Sequence, residues 1–301
     1  MTEKIKNYFE SELSLVLFDE EMKKHTTFKI GGPSDILVDA ESEEEVLTAI
    51  KISKEAELPY IIIGNGSNLL VSDKGIEGVV IKIGSRMNKI SVKGNMMYVC
   101  SGALLSSVSN TAQKNSLTGL EFAAGIPGTL GGGIYMNAGA YDGELKNVVK
   151  SVTYIDDEGN LKKACKDELD FSYRHSMFSD KNYAILSVEL ELGFGNPDEI
   201  KAKMIELNRR RCEKQPLEYP SAGSTFKRPE GHFAGKLIQD AGLMGYSVGG
   251  AMVSEKHAGF VINTGDAKAQ DVIELIEHIK KTVFEQFGVM LEPEVKLIGR
   301  L

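Results

Sequence analysis

A chain of 301 residues with 42% apolar and 26% charged side chains can bury a substantial core, and its length suits two domains or three small ones. A net charge of -8, from 35 basic against 43 acidic residues, excludes general binding to nucleic acid or to an anionic membrane. No apolar run reaches membrane-spanning length and the first residues carry no signal-peptide stretch, so a cytoplasmic enzyme is expected. Cys100, Cys165 and Cys212 lie far apart without a Cys-x-x-Cys pair, which argues against a disulfide framework and a zinc site; no metal is expected.

Ile5, Tyr8, Phe9, Leu13 and Val16 share one helical face over residues 3–16. Residues 28–40 read as two short strands around Gly31-Gly32-Pro33, and Ser42 with Glu45 forms a capping box that opens a helix to Ala56. A buried strand over 60–63 runs into Gly64-Asn65-Gly66-Ser67-Asn68. Strands follow at 79–83, 89–92 and 97–100, the last two a hairpin around Lys93-Gly94-Asn95, and residues 103–115 are helical. A second hairpin pairs 152–155 with 161–164, and 184–192 alternates as a strand. Asn196, Pro197, Asp198 and Glu199 open a helix with a capping side chain, proline in the first turn and acids against the dipole. A strong helix turns Val272, Ile273, Ile276, Ile279, Val283 and Phe287 inward. A final strand over 289–298 puts Val289, Leu291, Val295 and Leu297 on one face and Glu292, Glu294 and Lys296 on the other. Helices and strands are interspersed with hairpins, so the fold class is α+β.

Glycine loses more backbone entropy on ordering than any other residue, so its concentration at 64–66 and again at 125–139 implies a need for bare backbone. The first loop lacks the third glycine of a dinucleotide fingerprint, and Gly231 to Lys236 is one residue short of a P-loop and lacks its hydroxyl. What remains is a pair of anion nests, in which Pro127 opens a helix and the amides of Gly128 and Thr129 face the anion. Two nests suit a diphosphate, although either loop alone reads equally as a tight turn. Between Lys201 and Lys236 there are nine basic residues against four acidic ones, an island suited to one polyanionic small molecule or to a solvated face carrying Arg209, Arg210 and Arg211.

Six ordered blocks carry a resemblance over nearly the whole chain: Gly-Asn-Gly-Ser-Asn-Leu-Leu at 64–70, the segment 125–137, Tyr-Arg-His-Ser at 173–176, Ala-Gly-Ser-Thr-Phe-Lys at 222–227, His-Phe-Ala-Gly-Lys-Leu-Ile at 232–238, and Leu-Glu-Pro-Glu-Val at 291–295. In these the chain resembles the UDP-N-acetylenolpyruvoylglucosamine reductase family, flavoenzymes of peptidoglycan precursor synthesis and thus of cell wall, shape and division. The resemblance implies a flavin domain of the p-cresol methylhydroxylase or vanillyl-alcohol oxidase type in two lobes. That domain is expected over 1–194, split near residue 80, with a smaller α+β substrate domain over 195–301 whose last strand returns to the flavin domain.

It also implies non-covalent FAD held by Gly64, Asn65, Gly66, Ser67, Asn68, Gly125, Ile126, Pro127, Gly128, Thr129, Gly133 and Asn137, and NADPH as co-substrate. By the same resemblance Arg174 binds the substrate carboxylate, Ser224 donates a proton and Glu294 is the third catalytic residue. Lys214 and Lys227 are expected at the substrate. Read bare, Arg174 is equally a surface arginine, Ser224 a turn hydroxyl and Glu294 part of a solvent face. The chain is expected to act as a monomer on small molecules.

Two features set the chain apart. Lys227-Arg228-Pro229 stands where the family commonly has Lys-Asn-Pro, so no substrate contact of that asparagine carries over. The short segment after Arg174 matches the subtype without the inserted tyrosine-bearing loop. The competing readings are another oxidase or dehydrogenase of the same flavin superfamily, with tethered flavin, and a flavin-free nucleotide-sugar binder or transferase.

Overall fold

The computed structural model describes residues 2–300. Two compact units are present, one formed by the chain up to Phe18 with Ile36–Asn65 and Gly78–Arg210, the other by Asp19–Asp35, Gly66–Glu77 and the chain from Arg211 on. The division is therefore not the single cut near residue 195 that the helix-start signals suggest. Pro197 does open a helix, with Asn196 Oδ1 accepting from the Asp198 amide at 2.9 Å, but Pro197–Lys214 runs across the boundary at Arg210.

The first unit carries an antiparallel five-stranded sheet in the order Leu161–Cys165, Val149–Ile155, Ala184–Glu191, Met96–Cys100, Ile90–Lys93. A four-stranded sheet runs Val16–Glu21, Pro33–Asp39, Ile76–Lys82, Tyr60–Ile63, with its last two strands parallel. Each sheet has its own apolar core. Phe9, Val38, Val46, Ile50 and Ile81 belong to one, and Met97, Leu105, Leu130, Ile134, Val188 and Leu190 to the other. These cores form two separate lobes. Ser42 Oγ caps Glu43–Glu55 by accepting from the Glu45 amide at 3.2 Å, while the Glu45 carboxylate accepts from Ser14 and Glu41 amides rather than closing the box on Ser42.

The second unit holds an antiparallel sheet of Ser247–Val248, Ala251–Val253 and Val261–Asn263 against the helix Ala269–Phe287. That helix buries Val272, Leu275, Ile276, Ile279 and Val283, whereas Phe287 is exposed and Ile273 only partly buried. The apolar stripe thus includes Leu275 and ends before Phe287. Gly288 terminates the helix at φ 68°, a left-handed cap that glycine adopts without penalty. Asp73 accepts from the amides of Ala269 and Gln270 at 2.9 and 3.2 Å, neutralising the opposite end.

Two strand expectations are corrected. Residues 28–40 contain one strand, Pro33–Asp39, because Gly31 at φ 137° turns the preceding backbone out of register. The final strand shrinks to Lys296–Ile298, which pairs in parallel with Leu69–Val71 in the same unit. Pro293 has no amide to donate to a ladder, and the chain before it is irregular except for a bridge to Phe226. Among the described residues no helix is long and apolar enough to cross a membrane, and no cluster of three His, Cys, Asp or Glu side chains is placed for a metal ion.

Candidate active site

In the first unit the strand Tyr60–Ile63 delivers Gly64 and Asn65 directly to the second glycine-rich loop, where Asn65 Nδ2 donates to the Pro127 carbonyl at 2.6 Å. A Cβ on Gly64 would collide with Thr129 Oγ1, so the two loops touch only because the residue is bare. The amides of Gly64, Asn65, Gly125, Gly128 and Thr129 donate to no acceptor among the described residues, although Gly128 and Thr129 are buried. Unpaired amides on partly buried backbone are costly unless a ligand accepts from them, and such a set is an anion nest. Pro127 and Ile126 form the turn between these donors.

The helix after this loop starts later than Pro127. Thr129 is its cap, its hydroxyl accepting from the Gly132 amide at 3.4 Å, and the helix spans Leu130–Tyr135. A bridge between Leu104 and Thr129 holds residues 128–130 extended, and the amides of Leu130 and Gly131 go to Ala103 and Ser101 carbonyls, each at 2.8 Å. Gly131 and Gly133 are bare for packing: a Cβ would come within 2.8 Å of Ser101 Cβ and of Leu145 Cδ1 respectively. Gly133, expected at the cofactor, therefore faces the core.

Asn137 is buried at φ 45°, and its side chain is committed inside the protein. Nδ2 donates to Glu144 at 2.8 Å and to the Ser172 carbonyl at 3.0 Å, while Oδ1 accepts from the Lys146 amide at 2.9 Å. Ser172 and His175 exchange backbone hydrogen bonds at 3.2 and 3.3 Å, leaving Tyr173 and Arg174 at the tip of a two-residue turn. Arg174 takes φ 56°, donates to the Gly139 carbonyl at 3.3 Å and lies 5.2 Å from the Tyr173 ring centroid. The helix of the second glycine-rich segment thus braces the arginine turn through Asn137. Asn137→Ala strands these partners and strains a left-handed residue, and urea unfolding is expected to show a loss of roughly 1–3 kcal/mol. An unchanged denaturation midpoint would count against this brace.

In the second unit the amides of Gly66, Ser67 and Asn68 also lack acceptors among the described residues, and Gly66 takes φ 62°. Asn68 Nδ2 donates to the Glu294 carbonyl at 3.0 Å, and the Asn68 carbonyl accepts from Lys296 at 2.9 Å. Glu294 is buried at 9% exposure instead of lying on a solvent face. Ser224 follows Gly223, whose φ of 78° makes the turn, and no hydrogen bond holds the Ser224 hydroxyl among the described residues. Thr225 accepts from the Glu294 amide through its carbonyl at 2.8 Å, so Ser224 and Glu294 lie on adjacent, mutually bonded segments.

Lys227 pairs with Glu292 at 2.5 Å, and the Arg228 guanidinium stacks 4.0 Å over the Phe233 ring. The basic island is partly spent inside the first unit, where Arg209 and Arg210 grip Glu206 and hold its carboxyl down to about 2. Lys214 in the second unit is exposed. His257 Nδ1 accepts from the Gly259 amide at 3.1 Å, and burial, with the charge of Lys214 adding to it, lowers the imidazole pKa from its ordinary value. Because the folded imidazole resists a proton that the unfolded chain accepts, stability should fall as pH drops below about 6.5. Urea midpoints in His257→Asn should lose that part of the acid dependence.

Sequence reading passed over Thr225 and His257. The partners of Thr225 lie tens of residues away, and a threonine after Gly-Ser has the look of a turn hydroxyl, while the burial that lowers the His257 pKa is set only by folding.

By the family models and relatives it matches, this frame of sheet, helix and amide-lined glycine loops is that of a flavin-dependent oxidoreductase. Residues 34–164 match the FAD binding domain family, and residues 215–298 match the UDP-N-acetylenolpyruvoylglucosamine reductase C-terminal domain. The chain belongs to the UDP-N-acetylenolpyruvoylglucosamine reductase family. It is 54% identical over 285 residues to the protein of that name from Clostridium perfringens, covering 95% of this chain and 93% of the relative. The counterpart from Caldanaerobacter subterraneus is 55% identical, with 93% of each chain covered. The crystal structure of UDP-N-acetylenolpyruvylglucosamine reductase from Thermus caldophilus superposes with a TM-score of 0.81 at 36% identity, over 94% of this chain and 98% of that one. Alkyldihydroxyacetonephosphate synthase, at 14% identity and TM-score 0.51 over 64% of this chain and 41% of its own, shares the fold alone.

Proposed function

We propose that this chain reduces the enolpyruvyl ether of UDP-N-acetylglucosamine to UDP-N-acetylmuramate, taking electrons from NADPH through non-covalent FAD. Family membership supports the reaction. The observation that carries the site assignment is the unpartnered Ser224 hydroxyl on a glycine turn bonded, through Thr225, to the segment of Glu294. The unpaired amides of the glycine loops fit the diphosphate of FAD, and neither loop contains a His or Cys to tether the flavin.

The unpaired amides of Gly64, Asn65, Gly125, Gly128 and Thr129 would hold the FAD diphosphate, and the flavin would supply hydride, drawn from NADPH, to C3 of the enolpyruvyl group. The electron pair of the double bond then builds on C2 and its carboxylate, and the Arg174 guanidinium, with a planar fork matched to two oxygens, neutralises it. Ser224 Oγ gives its proton to C2, and the resulting alkoxide regains one from solvent. Serine is a weak acid, but the carbon it serves is strongly basic, so what the site must supply is position. Glu294 donates a proton in hydrogen bonding to the substrate carboxylate. Lys214 takes the phosphates, and Lys227, released from Glu292, steadies the Ser224 oxygen. The enzyme works in the cytoplasm as a monomer.

An anaerobic two-stage experiment tests the reading: NADPH should bleach the bound flavin, and the enolpyruvyl substrate alone should restore its colour. If Glu294 acts as an acid, reoxidation slows with rising pH as that proton is lost, and Glu294→Gln removes this limb. A profile identical in wild type and Glu294→Gln would withdraw the role of Glu294.

A further inference from the structure

We infer that Thr225 is the positioning residue that sets the Ser224 hydroxyl and Glu294 in register. The inference rests on the reading of Ser224 as proton donor. Thr225 is 3% exposed and is held through three polar atoms by two separate segments of the second unit, residues 259–261 and Glu294. Its amide donates to the Gly259 carbonyl at 2.9 Å, its hydroxyl accepts from the Val261 amide at 2.9 Å, and its carbonyl accepts from the Glu294 amide at 2.8 Å.

Ser224 has little else to fix it. On its other side Gly223 sits at φ 78°, and a Cβ built there would meet nothing within 4 Å. Upstream the chain is anchored at Ser221, bridged to Ile262, while Gly223 and Ser224 make no backbone hydrogen bond among the described residues, so the tie nearest the Ser224 hydroxyl is the residue after it. Beyond Thr225 the pairing continues, with Phe226 bridged to Pro293 and the Lys227 amide donating to the Glu292 carbonyl at 2.9 Å. Residues 225–227 and 292–294 therefore form one short irregular ribbon, and Thr225 ties its serine end to the sheet strand Val261–Asn263.

Behind this tie stands His257. Its Nδ1 accepts from the Gly259 amide, and its carbonyl accepts from Phe260 at 3.0 Å, so the turn that presents the Gly259 carbonyl to Thr225 is built on a neutral imidazole. Threonine meets both demands of the position. Its hydroxyl satisfies a buried amide, and its β-branch restricts the side chain to few rotamers, which holds that hydroxyl in place.

Thr225→Val keeps the shape and deletes the acceptor. Reduction by NADPH should be unchanged, while reoxidation by the enolpyruvyl substrate should slow about 10- to 100-fold, the scale of a roughly 1 Å misplacement of a reacting group. The solvent isotope effect on reoxidation should rise as proton delivery becomes limiting, and exchange of the Val261 amide should quicken in the flavin-free protein as well. Thr225→Ser, which retains the acceptor, should restore most of the rate. If Thr225→Val yields too little protein, His257→Ala should slow reoxidation about 10-fold and His257→Asn should reverse it. Wild-type reoxidation in Thr225→Val or His257→Ala, or equal slowing of both stages, overturns the inference. Wild-type reoxidation in Ser224→Ala instead overturns the reading of Ser224 itself.

Discussion

In Ser224→Ala the flavin should still be bleached by NADPH at the wild-type rate, while its reoxidation by the enolpyruvyl substrate should slow about 10²-fold or more, the scale of a lost proton donor. The asymmetry follows from the chemistry. In the proposed reaction, reduction draws no proton from this hydroxyl, whereas addition of hydride at C3 would leave an electron pair on C2 that must be protonated. Folding should be unaffected, because the Ser224 hydroxyl bonds to nothing among the described residues and its deletion strands no partner. Stopped-flow absorbance of the two stages separates the outcomes. Equal slowing of both would mean that Ser224 only shapes the loop, and no slowing would move the proton donor elsewhere.

Gly64→Val is expected to yield folded protein that has lost its yellow colour. Even the first carbon of the new side chain would collide with Thr129 Oγ1, and Thr129 cannot simply rotate away, being buried, β-branched and committed to the Gly132 amide. Moving it would give up a helix cap worth about 1 kcal/mol and pull apart the loops that Asn65 ties to Pro127. The remote cores should survive, since Gly64 lies outside both apolar clusters. Flavin content per protein, read from absorbance after gel filtration, together with an intact circular dichroism spectrum, checks the prediction. Full flavin retention would show that the touching loops are not the diphosphate site.

The candidate residues of the two units differ in how far they can be read from sequence. Gly64-Asn65 and Gly125 to Thr129 announce themselves because glycine is expensive anywhere it is not needed. Which glycines face a ligand is another matter. Gly128 leaves an amide without an acceptor, while Gly133 makes room for Leu145, and both look alike in the chain. Asn137 stands within the same motif yet spends its amide on Ser172, Glu144 and Lys146, a role set by residues that reach it only through folding. Glu294 alternates with apolar neighbours as a surface residue would. It is buried because Pro293 breaks the ladder and Phe226 and Thr225 capture the irregular backbone.

The sequence by itself determined the class of the fold, the capped helices at Ser42 and Asn196, the alternating strands, the two glycine loops and the family. Each of these rests on local energetics or on an ordered set of motifs carried along the chain. Tertiary structure alone decided that the units interleave in sequence, that the last strand is Lys296–Ile298 beside Leu69–Val71, and that Thr225 joins Ser224 to Glu294. Those features depend on hydrogen bonds closed across tens to hundreds of residues, and their partners carry no local signal because a backbone amide or carbonyl is the same in every residue that has one.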